Sequence, residues 1–360
     1  TFTAPPATTE THGSTLLAVE GKGNIHAEPF ITLNRCSTLR GIQVFYPEQN
    51  PDRIAPYPWC IRGHGDNVAI RDVLLVNPYM AVDFGTFPAG RHFISGLYAH
   101  ALKTGLFIDK CFDVGRVENV HFWPFWGEKA MKWTVENGTA FIIARTDWQY
   151  MTNCFAIAYK VGFHFVANAD GPGNAVLTQC GSDIGPLAVL VDSVQPHAGV
   201  SFVNSQMMAT VEVSETNMGP VKFTACGFWG TENTTNHHAL IRGGGYVTFT
   251  ACHFENWALV DPTSPAIIAR SGSVTVTGCE FLREDPRVRH IELWEDVEAA
   301  IITANRFRTT PKIENRSEGQ VEISSNVGGR SPALLSALDR RDADEVARLW
   351  EARMKHSPLT

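Results

Sequence analysis

Two aspartates are the first candidates for chemistry, because each interrupts a run of apolar residues. Asp83 lies in AVDFG and Asp109 lies in LFIDKCF. A carboxylate among apolar neighbours costs free energy unless it is hydrogen-bonded or used in a reaction. Paired carboxylates are also the groups that act as general acid and general base, or nucleophile, on a glycosidic bond. Asp83 and Asp109 are therefore candidates for such a pair.

Short apolar segments of the same kind recur along this part of the chain, and alternation assigns a face to each of their residues. The segments are WCIRG, AVDFG (81–85), GLFID (105–109), AMKWT (130–134), GFHFV (162–166) and AVLVD (188–192). With Val82 and Phe84 pointing inward, Asp83 points outward. The same parity predicts one outward stripe made of Arg62, Asp83, Asp109, Lys132, His164 and Asp192. These side chains are catalytic or binding candidates, although outward residues of a strand are also polar simply because water covers them.

The spacing of the aspartate pair also predicts a stereochemical outcome. If the segments stack as neighbouring strands, Asp109 lies one strand on and two residues along from Asp83, a diagonal of about 7–8 Å. Inverting glycosidases hold their carboxyl groups about 6.5–9.5 Å apart and retaining ones about 5–5.5 Å apart. Inversion is therefore favoured, and a register different by one residue would reverse that choice.

A second candidate region, 121–148, is rich in aromatic residues. It contains HFWPFWGEKAMKWTVENG and then RTDWQY, which carry Trp123, Trp126, Trp133 and Trp148. Exposed indole rings suit the C–H faces of sugars, so this aromatic loop is expected to bind saccharide. The alternative is that it folds into a satellite core of its own.

Three polar residues of the same region have possible roles in that cleft. The substrate-binding candidates are Arg62, His121, Trp123, Trp126 and Trp148. The catalytic candidates are Asp83, Asp109, Asp147, His164 and Lys132. Glu128 is a further possible acid or base.

A repeat indicates which elements position these residues. Three cysteines share one frame, VKFTACGF at Cys226, VTFTACHF at Cys252 and VTVTGCEF at Cys279. The frame recurs at twelve positions from Ile42 to Asn326, with spacings of 21 to 34 residues. A nearly constant step of this length, made of short alternating runs, indicates a solenoid of stacked β-coils.

The frame predicts a strand, a tight bend and a second strand in each coil. Phe249, Cys252 and Phe254 are expected to point inward, and Thr250 and Ala251 to form the bend. Coils about 4.8 Å apart would then stack equivalent side chains as ladders. The predicted ladders are Cys154, Cys180, Ser205, Cys226, Cys252, Cys279, Asn305 and Asn326, then Phe228, Phe254, Phe281 and Phe307, and, at the bend, Asn119, Asn153, Gln179 and Asn204. The cysteines are interpreted as small buried apolar residues rather than disulfides.

The pattern resembles the right-handed, single-stranded parallel β-helix of the pectate-lyase-like superfamily, over about residues 15–328. The fold class is therefore expected to be all-β, with about 12 coils. The resemblance implies a carbohydrate-active protein, extracellular or periplasmic, with its substrate groove along the sheet that carries the outward stripe.

The two ends differ from the repeat. The domain division is 1–328 for the β-helix, whose N-terminal cap is possibly missing, and 329–360 for a short C-terminal helical cap or tail. The tail follows Ser331-Pro332, an N-cap and first-turn proline pair.

Composition excludes several classes. With 44% apolar and 19% charged residues the chain is not disordered, and a net charge of −7 argues against a nucleic-acid partner. No apolar run reaches the roughly 20 residues of a membrane span. No Ser-His-Asp arrangement, phosphate loop, dinucleotide fingerprint or zinc pair is recognisable, and no metal site is expected.

Three functions remain open on this sequence. The first is a glycoside hydrolase acting on a polysaccharide or oligosaccharide without a cofactor. The second is a polysaccharide lyase, in which Lys132, Lys110 or Arg62 removes a proton next to a uronate carboxylate, with Ca²⁺ possible on the aspartates. The third is a non-catalytic tailspike-like or adhesin-like glycan-binding module. Under any of these functions the protein is expected to be a monomer or a homotrimer.

If Asp83 and Asp109 are the catalytic pair, Asp83→Asn and Asp109→Asn should each cut turnover by orders of magnitude, because general acid–base groups contribute about 10²–10⁴-fold. Their melting temperatures should change little. Reducing-end assays and thermal melts measure the two effects, and near-normal rates in both variants would reject the pair.

Overall fold

The computed structural model describes residues 14–230 and 235–329. They form a parallel β-solenoid of about 11 turns, with 50% of residues in strands and one α-helix. The all-β prediction and the stacked repeat are thereby confirmed. The predicted helical tail at 329–360 lies, apart from Gly329, outside the described residues, as do residues 1–13.

Each full coil contributes one strand to each of three parallel ladders, which we call sheets A, B and C. Sheet A contains Ile31–Asn34, Trp59–His64, Met80–Phe84, Thr104–Ile108, Thr139–Ile143, Val161–Phe165, Leu187–Val191, Thr210–Val213, Ala239–Ile241, Ile313–Asn315 and the first parts of Ile267–Thr277 and Ile291–Thr303.

Sheet B follows sheet A in every coil. It contains Thr38–Arg40, Ala175–Thr178, Val200–Val203, Val221–Thr224, Tyr246–Thr250, Gln320–Ser324, the first parts of Ala69–Val76, Phe93–Ala99, Gly115–Phe122 and Gln149–Ile157, and the second parts of the two long strands shared with sheet A.

Sheet C closes each coil. It contains Thr15–Leu17, Gln43–Phe45, Gly181–Asp183, Gln206–Met207, Gly227–Trp229, His253–Glu255, Glu280–Phe281, Arg306–Phe307, Val327–Gly328 and the second parts of the four strands shared with sheet B. A small antiparallel hairpin, Ala167–Asn168 with Gly171–Pro172, lies outside the three sheets.

One residue in a left-handed conformation forms the bend between sheets B and C in coil after coil. Its φ lies between 48° and 69° at Gly41, Asp72, Gly96, Asn119, Asn153, Gln179, Asn204, Ala225, Ala251, Gly278, Ala304 and Ser325. Glycine and asparagine adopt this region most readily. The predicted bend position is confirmed, and two of its amides pair, with Asn153 Nδ2 donating to Asn119 Oδ1 at 2.8 Å.

The two predicted internal ladders are also confirmed. The phenylalanine rings stack in sequence, with centroid distances of 4.8 Å for Phe228–Phe254, 4.9 Å for Phe254–Phe281 and 4.6 Å for Phe281–Phe307. In the cysteine ladder, the thiol of Cys252 lies 3.4 Å from the carbonyl oxygen of Phe223, in the preceding coil.

The cysteines form no disulfide among the described residues, as predicted. Seven of them are buried, and Cys36 is exposed. Asparagines at the same ladder position also link neighbouring coils. Asn305 Oδ1 accepts a hydrogen bond from the backbone N–H of Cys279, in the preceding coil, at 2.9 Å.

The prediction that AMKWT is a strand is wrong. Residues Glu128–Asn137 form helix α1, and the sheet A strand of that coil is Thr139–Ile143. The stretch 128–132 consists of good helix formers, and Ala130 and Thr134, four residues apart, form its buried face. No helix among the described residues is long and apolar enough to cross a membrane.

Among the histidines that the structure describes, four are completely buried, which the sequence did not indicate: His92, His100, His238 and His290. Burial lowers the pKa of His92 and His290 to about 4 and that of His100 and His238 to about 3. The folded protein therefore keeps these four rings neutral in a pH range where an unfolded chain would protonate them near pH 6.5.

We expect stability to fall as the pH drops below about 6.5, because the unfolded state then binds protons that the native state does not. Each buried histidine contributes about 1.4 kcal/mol per pH unit in that window. Urea unfolding at pH 7.5, 6.5 and 5.5 measures the slope, with the exposed His26→Ala variant as control. A free energy of unfolding that stays constant over this range would contradict the expectation.

Candidate functional site

The outer face of sheet A carries one stripe of residues in register, one per coil. Arg62 pairs with Asp83, Asp83 with Phe107, Ile142 with His164, and Leu190 with Glu212. The predicted outward parity therefore holds for Arg62, Asp83 and His164. The placement of Lys132 in this stripe is wrong, because Lys132 lies on helix α1 and Ile142 occupies the position in that coil.

Asp83 lies on the outer face but is completely buried. Its Oδ2 accepts a hydrogen bond from Arg62 Nε at 2.7 Å, and its Oδ1 accepts from the backbone N–H groups of Gly85 and Thr86 at 3.0 and 2.8 Å. The side chain of Arg62 is only 17% exposed. Both oxygens of Asp83 therefore have structural partners.

Asp109 lies one coil on and two residues along from Asp83, as the sequence predicted. It is 5% exposed. Its Oδ1 accepts from the backbone N–H of Lys110 at 2.7 Å, from that of Arg145 at 3.0 Å and from Asn168 Nδ2 at 2.6 Å. Asp109 thus joins loops of three successive coils.

Asp147 is the next carboxylate along this edge, and it is more accessible. Its side chain is 33% exposed and is bound by Arg145, with N–O distances of 2.6 and 3.1 Å. Gln195 Nε2 donates to Oδ1 at 3.0 Å, and Asn174 holds Gln195 at 2.6 Å. The hydrogen bonds from Arg145 and then Gln195 hold the pKa of Asp147 below its usual value, so Asp147 is ionised at neutral pH.

His164 and Asp192 form a dyad on adjacent coils of the same face. His164 Nε2 lies 2.6 Å from Asp192 Oδ2. Ser214 Oγ donates to the other carboxylate oxygen. The side chains of His164 and Asp192 are 22% and 39% exposed. This hydrogen bond fixes the orientation of the imidazole, and both side chains of the dyad are partly accessible to solvent.

Asp109, Asp147 and Asp192 lie in the loops that join sheet A to sheet B. We call this row of loops, at 109–114, 144–148, 166–174 and 192–199, the loop ridge. Two aromatic side chains project from it, Trp148 at 53% exposure and Phe112 at 52%. The Arg145 guanidinium lies 5.4 Å from the centre of the Phe112 ring. Aromatic faces and carboxylates thus alternate along one edge of the solenoid.

The predicted aromatic loop 121–148 is not one loop, because helix α1 and a sheet A strand lie within it. His121 pairs with Tyr98 and Phe155 in sheet C, and its ring packs 4.9 Å from that of Trp123. Burial lowers the pKa of His121. Trp126 precedes helix α1, and only Trp148 reaches the loop ridge. His121 and Trp123 therefore lie on the outer face of sheet C, as part of an aromatic cluster there.

Several residues of this face had no recognisable signal in the sequence. Trp59 stacks on Phe107 with a centroid distance of 6.3 Å on the outer face of sheet A. Arg145, Gln195 and Ser214 each bind a carboxylate of the ridge. Arg145 is two residues from Asp147 and could have been proposed as its partner, but the contact from Gln195, 48 residues away, depends on the coil stacking.

Comparison with known proteins identifies no relative: the chain matches no family model and no curated protein. Within residues 14–230 and 235–329, no group of three or more His, Cys, Asp or Glu side chains is arranged to hold a metal ion.

The geometry predicts a structural effect for Asp83→Asn, in contrast to the small effect expected from the sequence. Removing one partner of a buried ion pair costs about 3–5 kcal/mol, so the variant should unfold at a clearly lower temperature and denaturant concentration. Glu48→Gln is the control, since the Glu48–Lys22 pair is 51% and 45% exposed and such pairs contribute about 0–1 kcal/mol. Unchanged stability of Asp83→Asn would favour a catalytic role instead.

Proposed function

We propose that this protein is a carbohydrate-active enzyme, a glycoside hydrolase, whose saccharide lies on the outer face of sheet A beside the loop ridge. One observation carries the proposal: an ionised carboxylate, Asp147, and a hydrogen-bonded histidine–aspartate dyad, His164–Asp192, lie on the same edge as exposed Trp148. These are the parts that hydrolysis of a glycosidic bond needs, namely a base, an acid and a stacking surface.

In this proposal the acid–base pair differs from the one expected from sequence. Asp83 and Asp109 are buried and bound by neighbouring groups, which supports a positioning role for both. Asp147, held ionised by Arg145, activates the water. Protonated His164, oriented by Asp192 on Nε2, gives the proton of its Nδ1 to the leaving oxygen. Gln195, from the loop that follows Asp192, positions Asp147.

The coil spacing supports an inverting reaction. Asp147 follows the sheet A strand 139–143, and Asp192 follows the strand two coils later, 187–191. Two coils correspond to about 10 Å along the solenoid axis. That axial spacing is well above the about 5–5.5 Å of retaining enzymes and slightly above the about 6.5–9.5 Å of inverting ones.

Membership of the pectate-lyase-like superfamily, and with it an extracellular or periplasmic location, is part of the same proposal. Its support is the parallel solenoid with stacked cysteine, asparagine and phenylalanine ladders. The polysaccharide substrate is supported by the aromatic rings of the ridge, since exposed apolar rings are costly unless they bind a ligand.

A non-catalytic glycan-binding module is the second candidate. It is favoured by the fact that every carboxylate described above on this face already has a partner in the protein. In that case Trp148 and Phe112 bind the glycan and no bond is broken.

Incubation with starch, xylan, mannan, galactan, chitin and polygalacturonate tests the hydrolase. We expect new reducing ends from at least one of them, and NMR of the first product should show inverted anomeric configuration. Asp147→Asn and His164→Ala should each lower kcat about 100-fold or more, while Glu280→Gln, whose side chain pairs with Arg306 on sheet C, should not.

Other outcomes would decide against the hydrolase. Unsaturated uronate products would identify a lyase. Binding without any product would identify the glycan-binding module, and wild-type turnover in both Asp147→Asn and His164→Ala would remove the proposed acid and base.

A further inference from the structure

Helix α1 and the loop at 51–54 flank an open cavity of about 400 Å³ that the proposed hydrolysis does not use. Its lining residues are Pro51, Asp52, Ile54, Lys129, Lys132, Trp133 and Glu136. The volume lies within the range of about 300–1,000 Å³ that is usual for small-molecule sites. Two other cavities, lined by residues 20–30 with 46 and 58, and by residues 311–326, lie near the two ends of the described solenoid. The cavity beside helix α1 shares no lining residue with them.

The walls of the cavity are fixed in place. Ala130 and Thr134 bury one side of the helix, and Thr134 Oγ1 lies 3.2 Å from Nε2 of the buried His100. Lys103 Nζ donates to the carbonyl oxygen of Asn137 at the last residue of the helix, at 2.8 Å. An ion pair between Lys129 and Asp52 joins the helix to the loop. The cavity is therefore largely preformed.

The indole of Trp133 provides an aromatic surface beside charged groups. Its ring packs 6.0 Å from that of Tyr79, which holds its orientation. Lys132 and Glu136 are both exposed and make no ion pair among the described residues. An ammonium donor and carboxylate acceptors thus stand next to a partly exposed ring.

The charges of the lining select among ligand classes. Two lysines, Lys129 and Lys132, balance two carboxylates, Asp52 and Glu136. The opposite charges offset one another, so the lining gives no net attraction for an anionic or a cationic ligand. An apolar ligand would leave the charged groups without hydrogen bonds. A neutral sugar has an apolar C–H face for the indole and hydroxyl groups that both donate and accept.

We propose that this cavity is a binding site for a neutral saccharide, with its ring on Trp133 and its hydroxyl groups bound by Lys132, Glu136 and Asp52. The site is separate from the loop ridge, and it does not depend on whether the ridge hydrolyses glycans. Lys132 acquires here a binding role in place of the outward position in sheet A expected from the sequence.

The test is isothermal titration calorimetry with the Trp148→Ala protein, because this variant lacks the stacking surface of the ridge. The ligands are cellotriose, xylotriose, mannotriose, laminaritriose and trigalacturonate. We expect one neutral trisaccharide to bind at one site per chain. Trp133→Ala should weaken that binding at least tenfold and Lys132→Ala at least threefold. The matched controls Trp229→Ala and Lys222→Ala, whose positions lie on sheets C and B, should bind as before.

Lys132 is exposed, so Lys132→Ala keeps the test valid if Trp133→Ala does not fold. The inference is overturned if no neutral trisaccharide binds, if only trigalacturonate binds, or if neither variant weakens binding. Hydrolysis by the wild-type protein is measured separately. Failure of the proposed hydrolysis at the ridge can therefore be distinguished from failure of the proposed saccharide binding in this cavity.

Discussion

Stacking of successive coils in register is the constraint on which every other feature depends. Each coil reverses direction between sheets B and C through one left-handed residue, from Gly41 to Ser325. Because that residue recurs at an equivalent place, the side chain after it always points inward and meets its equivalent in the next coil. The cysteine and phenylalanine ladders follow from this geometry. The outward stripe from Arg62 to Glu212 follows as well, since strand residues alternate between the two faces.

The periodicity of the sequence was sufficient to predict the solenoid, its internal ladders and the outward positions of Arg62, Asp83 and His164. It failed between Val120 and Cys154, where the spacing widens to 34 residues. An alternation rule applied to AMKWT could not detect that Ala130 and Thr134 are helical neighbours. The burial of Asp83 could not be predicted from the sequence either. It depends on the path of the loop after the strand, whose backbone N–H groups at Gly85 and Thr86 donate to the carboxylate.

The same distinction explains which parts of the candidate site the sequence identified. Residues within strands could be assigned a face, so the Asp83-to-Asp109 diagonal was predicted correctly. Loop residues have no such rule. Gln195 and Asn168 bind carboxylates two coils away, and the tryptophans of 121–148 separate onto different faces. Long-range contacts of this kind depend on the three-dimensional path of each loop.

The contacts of Asn168 and Gln195 have a thermodynamic consequence. A solenoid in which each coil touches only its neighbours unfolds like a linear chain of units and can fray from either end. Asn168 and Gln195 instead connect coils that are not adjacent, so the coils from Thr104 to Val191 are coupled beyond their nearest neighbours. Opening one of these coils then breaks contacts with a coil two steps away, which favours fraying in the coils outside the ridge.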